Sequence, residues 1–417
     1  MDLFELLALV LTLAAGFSYL NERIIRLPVT IGVMLIALVL SLLLHLIDQW
    51  GFTLKDQAAV WLSSIDFNQT LMHGMLSFLL FAGALHVNLN DLAKNKWVIG
   101  SLAVVGTLLS TFLLGWVTWV VLGWLGFNIS FLYCLVFGAL ISPTDPIAVL
   151  GILKRAGAPK SLETKITGES LFNDGVGVVV FITILEIATG SHELSVGHIA
   201  GLFLQEAVGG AVFGLGIGYL AYLLLKSVNN YQVEILITLA LVTGGYALAQ
   251  ALHLSGPLAM VIAGLVIGNQ GRLFAMSEST REHLDVFWEL IDEILNVVLF
   301  VLIGLEVLVL TFTQEYVTAG LLLIPLVLLG RLVSIGIPLA ILQRFRTFTP
   351  GAIWVLTWGG LRGGISVALA LSIPKGPERD LIVAITYMVV VFSILVQGLT
   401  VGQLIRWVVG QPQSIKS

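Results

Sequence analysis

An all-α polytopic membrane protein of about thirteen transmembrane helices is predicted by three features of the chain. These are its hydropathy, the spacing of its apolar runs, and two interrupted runs at matching places. Hydrophobic residues make up 58% of the 417 residues and charged residues only 11%, against about 25% charged in soluble globular proteins. The net charge of −5 is too small to imply a nucleic-acid partner. The single cysteine, Cys134, lies in an apolar run, which excludes disulfides within the chain and marks a buried structural thiol. The N-terminus has neither a basic leading region nor a small-residue cleavage site, so it is read as a retained first span. With a longest polar connection of about twenty residues, no soluble domain is expected.

In order, the apolar runs lie near 3–20, 28–46, 69–87, 97–123, 131–153, 164–189, 198–225, 232–252, 255–270, 284–311, 316–343, 350–373 and 381–409. At 1.5 Å per residue each suffices for a bilayer core; the ninth is short and contains glycine. The connections after odd-numbered spans, with the C-terminal tail and the span ends that face them, carry fifteen of the twenty basic residues. Those after even-numbered spans carry three, and Arg331 and Arg362 fall inside spans. Such an asymmetry puts the C-terminus in the cytoplasm and, with an odd number of spans, the N-terminus outside. Spans 1–6 and 8–13 then form two six-span units of opposite topology, separated by span 7. The fifth span of the first unit is interrupted at S-P-T-D-P, residues 142–146, and that of the second at W-G-G-L-R-G-G, residues 358–364. Interrupted segments at corresponding positions of two halves point to a transporter's binding site.

The stretch from Ser142 to Gly177 holds three acids, Asp145, Glu169 and Asp174, within spans. A charge at the bilayer centre costs about 2.5–3.5 kcal/mol even on mild insertion scales, so a cluster of three marks a working site. Pro143 and Pro146 lack amide hydrogens and free the carbonyls of Ala139 and Ser142. Asp145 before Pro146 has the pattern of an N-cap with proline at the first helical position. A kinked structural helix is the plainer alternative. In span six, Glu169 and Asn173 are four apart, as are Ser170 and Asp174, so one helix face presents two carboxylates, a hydroxyl and an amide. Hard cations take oxygen ligands of this kind, and Gly175 and Gly177 let another backbone approach. A carboxylate shielded from water is neutralised by a proton or by a cation but not by both, and Asp174 is the candidate for that competition.

Glu169 is expected to pair with an intramembrane arginine. The favoured partner is Arg331 in span eleven, with Arg362 balancing helix ends at the second break; the swapped pairing stays open. Span ten holds Glu289, Asp292 and Glu293 near one end and Glu306 near the other. Glu289 and Asp292 line a cytoplasmic cation funnel or form a solvated helix end. Glu186, Glu206 and Glu234 are interfacial or pore-facing and receive no role. His73 is a candidate pH sensor; the histidines at span ends are read as structural.

The anchors S-P-T-D-P at 142–146, G-E-S-L-F-N-D at 168–174 and G-G-L-R-G-G at 359–364 resemble the monovalent cation:proton antiporter-1 family over almost the whole chain. That family includes bacterial sodium/proton antiporters and the eukaryotic sodium/proton exchangers. The resemblance implies a sodium/proton antiporter fold with two crossed discontinuous helices. It implies a scaffold and dimerisation part near 1–87 and 198–311, and a mobile core near 97–189 and 316–409. It assigns Asp174 as the ion-binding aspartate, with Asn173, Asp145, Thr144 and Ser170 beside it, and Glu169 as the salt-bridged glutamate. Asp174, Asp145, Thr144 and Ser170 would hold the monovalent cation. An Asn-Asp pair at 173–174 implies electroneutral exchange. One departure stands out: Ala82 in F-A-G-A-L occupies a place where many bacterial members carry an acid.

The expected activity is exchange of a monovalent cation, Na+ first and Li+ or K+ next, for H+, by a homodimer in a bacterial inner membrane, with no cofactor and no nucleic-acid partner. A K+-selective K+/H+ antiporter is the alternative. A gated cation channel is a third class, although no carbonyl-filter sequence such as T-V-G-Y-G occurs. An intramembrane enzyme using Asp145 and Asp174 is a fourth, and neither H-E-x-x-H nor G-x-S-x-G is present.

Overall fold

The computed structural model describes residues 3–48, 74–155, 158–190, 201, 204–344 and 351–409. His73 lies outside the described residues, as do the first residues of predicted spans 3 and 7. Helix α1 spans Leu3–Leu20, α2 Val29–Asp48, α3 Leu76–Leu85, α4 Leu89–Trp124, α5 Phe131–Ile141, α6 Ile147–Arg155 and α7 Lys160–Ala188. In the second half α8 is Leu204–Ser227, α9 Tyr231–Ala251, α10 Gly256–Phe274, α11 Glu278–Glu306 and α12 Gln314–Leu342. The last three are α13, Ala352–Trp358, α14, Gly364–Ser372, and α15, Pro377–Val408.

Among the described residues, nine helices are long and apolar enough to cross a bilayer by themselves. The other predicted spans correspond to the short α3, to α11 with its charged first half, and to the broken pairs α5/α6 and α13/α14. Several helices start before their apolar run. Asn88 accepts from the amides of Asn90 and Asp91, so α4 begins at Leu89 rather than near 97. Ser277 accepts from the Thr280 amide, so α11 begins at Glu278 rather than near 284. In both cases a capping side chain satisfies amides that a helix start leaves open, and the helix extends into polar sequence that hydropathy reads as loop.

Small residues set the closest helix contacts. Gly210, Gly214 and Gly218 are spaced four apart on α8. A Cβ on each would crowd, in turn, Ser255 at the cap of α10 and Ala259 and Ala263 within it. On α5, a Cβ on Gly138 would collide with the Thr111 carbonyl of α4, and Gly115 faces the Leu135 backbone in return. Lipid is as apolar as leucine, so helix association rests on such close packing rather than on hydrophobic burial alone. Buried side chains gather into a large cluster built mainly from α5, α7, α12 and α13–α15, and a second built from α3 and α8–α11. A small third cluster joins α1, α2 and the end of α11. Cys134, on α5, is fully buried.

Gly138→Val forces a branched side chain against the Thr111 carbonyl. Overpacking costs about 1–3 kcal/mol, and the variant in detergent is expected to lose its monodisperse peak on size exclusion at a lower temperature than the parent. Gly216→Ala, with nothing within 4 Å of its Cβ, is expected to be neutral or to gain up to about 1 kcal/mol.

Candidate functional site

The two broken helices meet at their interruptions. The Asp145 amide donates to the Leu361 carbonyl at 2.8 Å, an isolated antiparallel bridge between residues 216 positions apart in sequence. This moves the cap. The Pro146 carbonyl accepts from the Val149 and Leu150 amides, so Pro146 occupies the cap position of α6. Asp145 stands one residue earlier, not at the N-cap the sequence suggests, because its backbone is extended against Leu361.

Where α5 ends, the Ser142 and Pro143 carbonyls have no helical partner to follow. Arg362 supplies one: its Nη1 donates to the Ser142 carbonyl at 2.6 Å and to the Pro143 carbonyl at 2.9 Å. The arginine thus serves the first break, not helix ends at the second as the sequence reading expected. Its backbone amide is held by Ser393 Oγ at 2.9 Å. In return, the Asp145 carboxylate abuts Gly363, where any Cβ would collide with it, immediately before the start of α14. A cation at a helix C-terminus and an anion at a helix N-terminus both follow the macrodipole. Each break is therefore compensated by a side chain from the other.

Helix α7 runs past this crossing. Thr144 and Asn173 bond reciprocally: the Thr144 amide donates to Asn173 Oδ1 at 3.3 Å, and Asn173 Nδ2 donates to Thr144 Oγ1 at 2.9 Å. The Thr144 and Ser170 hydroxyls are 3.0 Å apart. Gly177 packs directly on Pro143, and Gly175 lies beside Leu258 of α10. Asp174 is 7% exposed and within electrostatic reach of Asp145. Both ends of the Asn173 amide are taken up by Thr144, which makes Asn173 the clamp between α7 and the break. Asp145 lies within electrostatic reach of Asp174, and Ser170, one turn earlier on α7, meets Thr144 at the break.

Glu169 and Arg331 form an ion pair at 2.6 Å, with side chains 2% and 6% exposed. Arg331 Nη2 also reaches the Leu356 carbonyl at 3.5 Å. Gly360 makes room for this guanidinium, since a Cβ there would lie 2.6 Å from Nε. The pair joins α7 to α12 and to the second break. On α11, Asp292 is half-buried and feels the charge of Asp145, whereas Glu289 is exposed. Ala82, on α3, is fully buried.

Sequence reasoning missed Ser393 and Gln397. Both lie in a π-helical segment of α15, Ser393–Gln397. Gln397 donates to the Trp358 carbonyl at 3.0 Å, and Trp358 Nε1 donates to Thr400 Oγ1 at 2.9 Å. Polar residues four and seven apart in an otherwise apolar span were the available signal. A π segment at this place widens the helix where it meets the break.

Breaking a buried ion pair from one side costs about 3–5 kcal/mol, because the surviving charge is stranded, whereas replacing both partners by apolar residues is far milder. Glu169→Gln and Arg331→Met are each expected to lower thermal stability sharply. The double variant Glu169→Leu with Arg331→Met is expected to recover most of the loss in a double-mutant cycle read by thermal denaturation.

The family profile described as "Sodium/hydrogen exchanger, transmembrane" matches residues 8–407. The Na(+)/H(+) antiporter NhaP of Pseudomonas aeruginosa is 53% identical over 414 residues, covering 98% of both chains. The Na(+)/H(+) antiporter NhaH of Halobacillus dabanensis is 32% identical over 97% of this chain and 98% of its own. In fold, the chain is similar to the sodium proton antiporter MjNhaP1 from Methanocaldococcus jannaschii. That structure superposes with a TM-score of 0.75 at 20% identity, over 98% of this chain and 100% of the other. With interrupted helices, their crossing and the matched length all in agreement, the chain belongs to the sodium/hydrogen exchanger family.

Proposed function

We propose that this protein is a secondary active transporter that exchanges Na+ for H+ across a membrane, with both ions competing for the Asp174 carboxylate. The observation that carries this is a nearly buried acid within electrostatic reach of a second acid, one turn along α7 from the Ser170 hydroxyl that meets Thr144 where a helix is interrupted. In a site shielded from water that carboxylate is neutralised by one ion at a time. Alternating exposure of the site to the two sides then couples the fluxes. Thr144, Ser170 and Asp145 contribute oxygens, and Asn173 fixes the break against α7. The Asn-Asp pair at 173–174, which in the family goes with electroneutral exchange, supports one-for-one exchange of Na+ for H+.

The separate packing cluster of α3 with α8–α11 supports a division of labour. Helices α4–α7 and α12–α15 act as a mobile core, and α1–α3 with α8–α11 act as a scaffold on which two copies dimerise. The distribution of basic residues supports a cytoplasmic C-terminus and an external N-terminus in a bacterial inner membrane. The protein works without a cofactor, since the transported ions supply the chemistry.

Asp174→Asn is expected to abolish Na+-driven proton movement in proteoliposomes, followed by dequenching of a pH dye, while the protein still inserts and elutes as the parent does. Unimpaired exchange by that variant would remove Asp174 from its role. Separate titrations with Na+, Li+ and K+ rank the cations, and a response to K+ alone would replace Na+ as substrate. Because protons compete with Na+ for one carboxylate, the apparent KM for Na+ is expected to rise as pH falls, with the rate recovering at saturating Na+. Electroneutral exchange predicts no sustained current on a solid-supported membrane under a Na+ gradient; a reproducible transport current would overturn it.

A further inference from the structure

Helix α11 carries a stripe that the site described above does not use. Asp285, Glu289, Asp292 and Asn296 are spaced by four, three and four residues, which places them on one helix face. Burial deepens along it: Glu289 is exposed, Asp292 is half-buried, and Asn296 is 2% exposed. From Glu289 to Asn296 the stripe covers about 10 Å at 1.5 Å per residue. Asp285, at the outer end, is tied to Arg272. Beyond Asn296 the same face becomes apolar, with Leu299 seated against Gly364 at the start of α14.

Asn296 stands out. Neither its Nδ2 nor its Oδ1 has a hydrogen-bond partner among the described residues. The Asp292 carboxylate, one turn back, lies close enough to interact with the amide, outside full hydrogen-bond geometry. A buried amide left unmatched is destabilising, and an apolar residue of similar size would avoid that cost. Its surroundings connect it to the crossing. Asp292 feels the field of Asp145, and Asp145 rests on Gly363, the neighbour of the glycine that Leu299 covers. The stripe thus leads from an exposed acid to the edge of the two broken helices.

We propose that Asp292 and Asn296 form a second cation site, on α11, that takes a partly dehydrated Na+ and passes it to Asp174. Asp292 supplies the charge and Asn296 Oδ1 a neutral oxygen in place of a lost water. This rests on the exchange reading given above and adds a step before Asp174. A neutral oxygen at the inner end suits a transient stop, since a second buried carboxylate there would hold the ion too tightly to release it.

The test is Asn296→Leu, near in volume and lacking the polar group, assayed in proteoliposomes by Na+ titration at fixed pH. The variant is expected to keep or raise its thermal stability, because an unmatched amide is removed. Its apparent KM for Na+ is expected to rise about tenfold, with the maximal rate within about twofold of the parent. Asn296→Asp retains an oxygen at the same reach, and its KM is expected to lie at or below the parent value. An Asn296→Leu protein with unchanged KM would overturn the proposal, whatever its maximal rate, and would leave Asp174 exchange standing. A parent protein without Na+-driven proton movement would instead strike down the exchange reading, and this site with it.

Discussion

The arginine that crosses from one interrupted helix to the other holds the centre of this protein together. An interruption inside a bilayer leaves carbonyls with no water to satisfy them, and such backbone survives only where protein supplies partners. Arg362 provides them for the end of α5, over a sequence distance of more than two hundred residues. Asp145 lies in the reciprocal place, against Gly363 at the head of α14. Neither charge is affordable alone at mid-membrane. Together they turn two structural weaknesses into one rigid joint, and the bridge between Asp145 and Leu361 sets its register.

The surrounding polar groups depend on that joint. Thr144 is presented by the first break and clamps Asn173. The clamp fixes the rotation of α7, and the rotation decides that Ser170 and Asp174 face the crossing. Glu169, on the same helix, is pulled toward Arg331, which tethers α7 to α12 and α13. Asp174 therefore sits on a helix whose neighbouring polar groups are ion-paired or hydrogen-bonded. Glu169 is held in an ion pair, while Asp174 is the carboxylate proposed above to answer to the transported ions. Two acids five residues apart take different roles because their surroundings differ.

Packing style differs between two parts of the molecule. Along α8 and α10 the backbones touch through glycines and alanines, a mode that gains from close dispersion contact and tolerates little sliding. Around the crossing, hydrogen bonds and ion pairs lock helices whose apolar surfaces are otherwise interchangeable. Helix α11 lies where these two regimes meet. Its first half carries acids, its second half is apolar, and its polar face ends beside the breaks.

The sequence by itself determined the spans, the two interruptions and the identity of the acidic helix, because bilayer thickness and proline chemistry act locally. It also narrowed the partner of Glu169 to two arginines, since a buried acid needs a cation and only two lay deep inside spans. What it could not decide was which group met which across the chain. Arg362 serving the first break, Asp145 yielding the cap to Pro146, Asn173 turned onto Thr144, and Ser393 with Gln397 steadying the second break all follow from the crossing. That crossing brings together segments with no common local pattern, so their contacts exist only once the chain has folded in three dimensions.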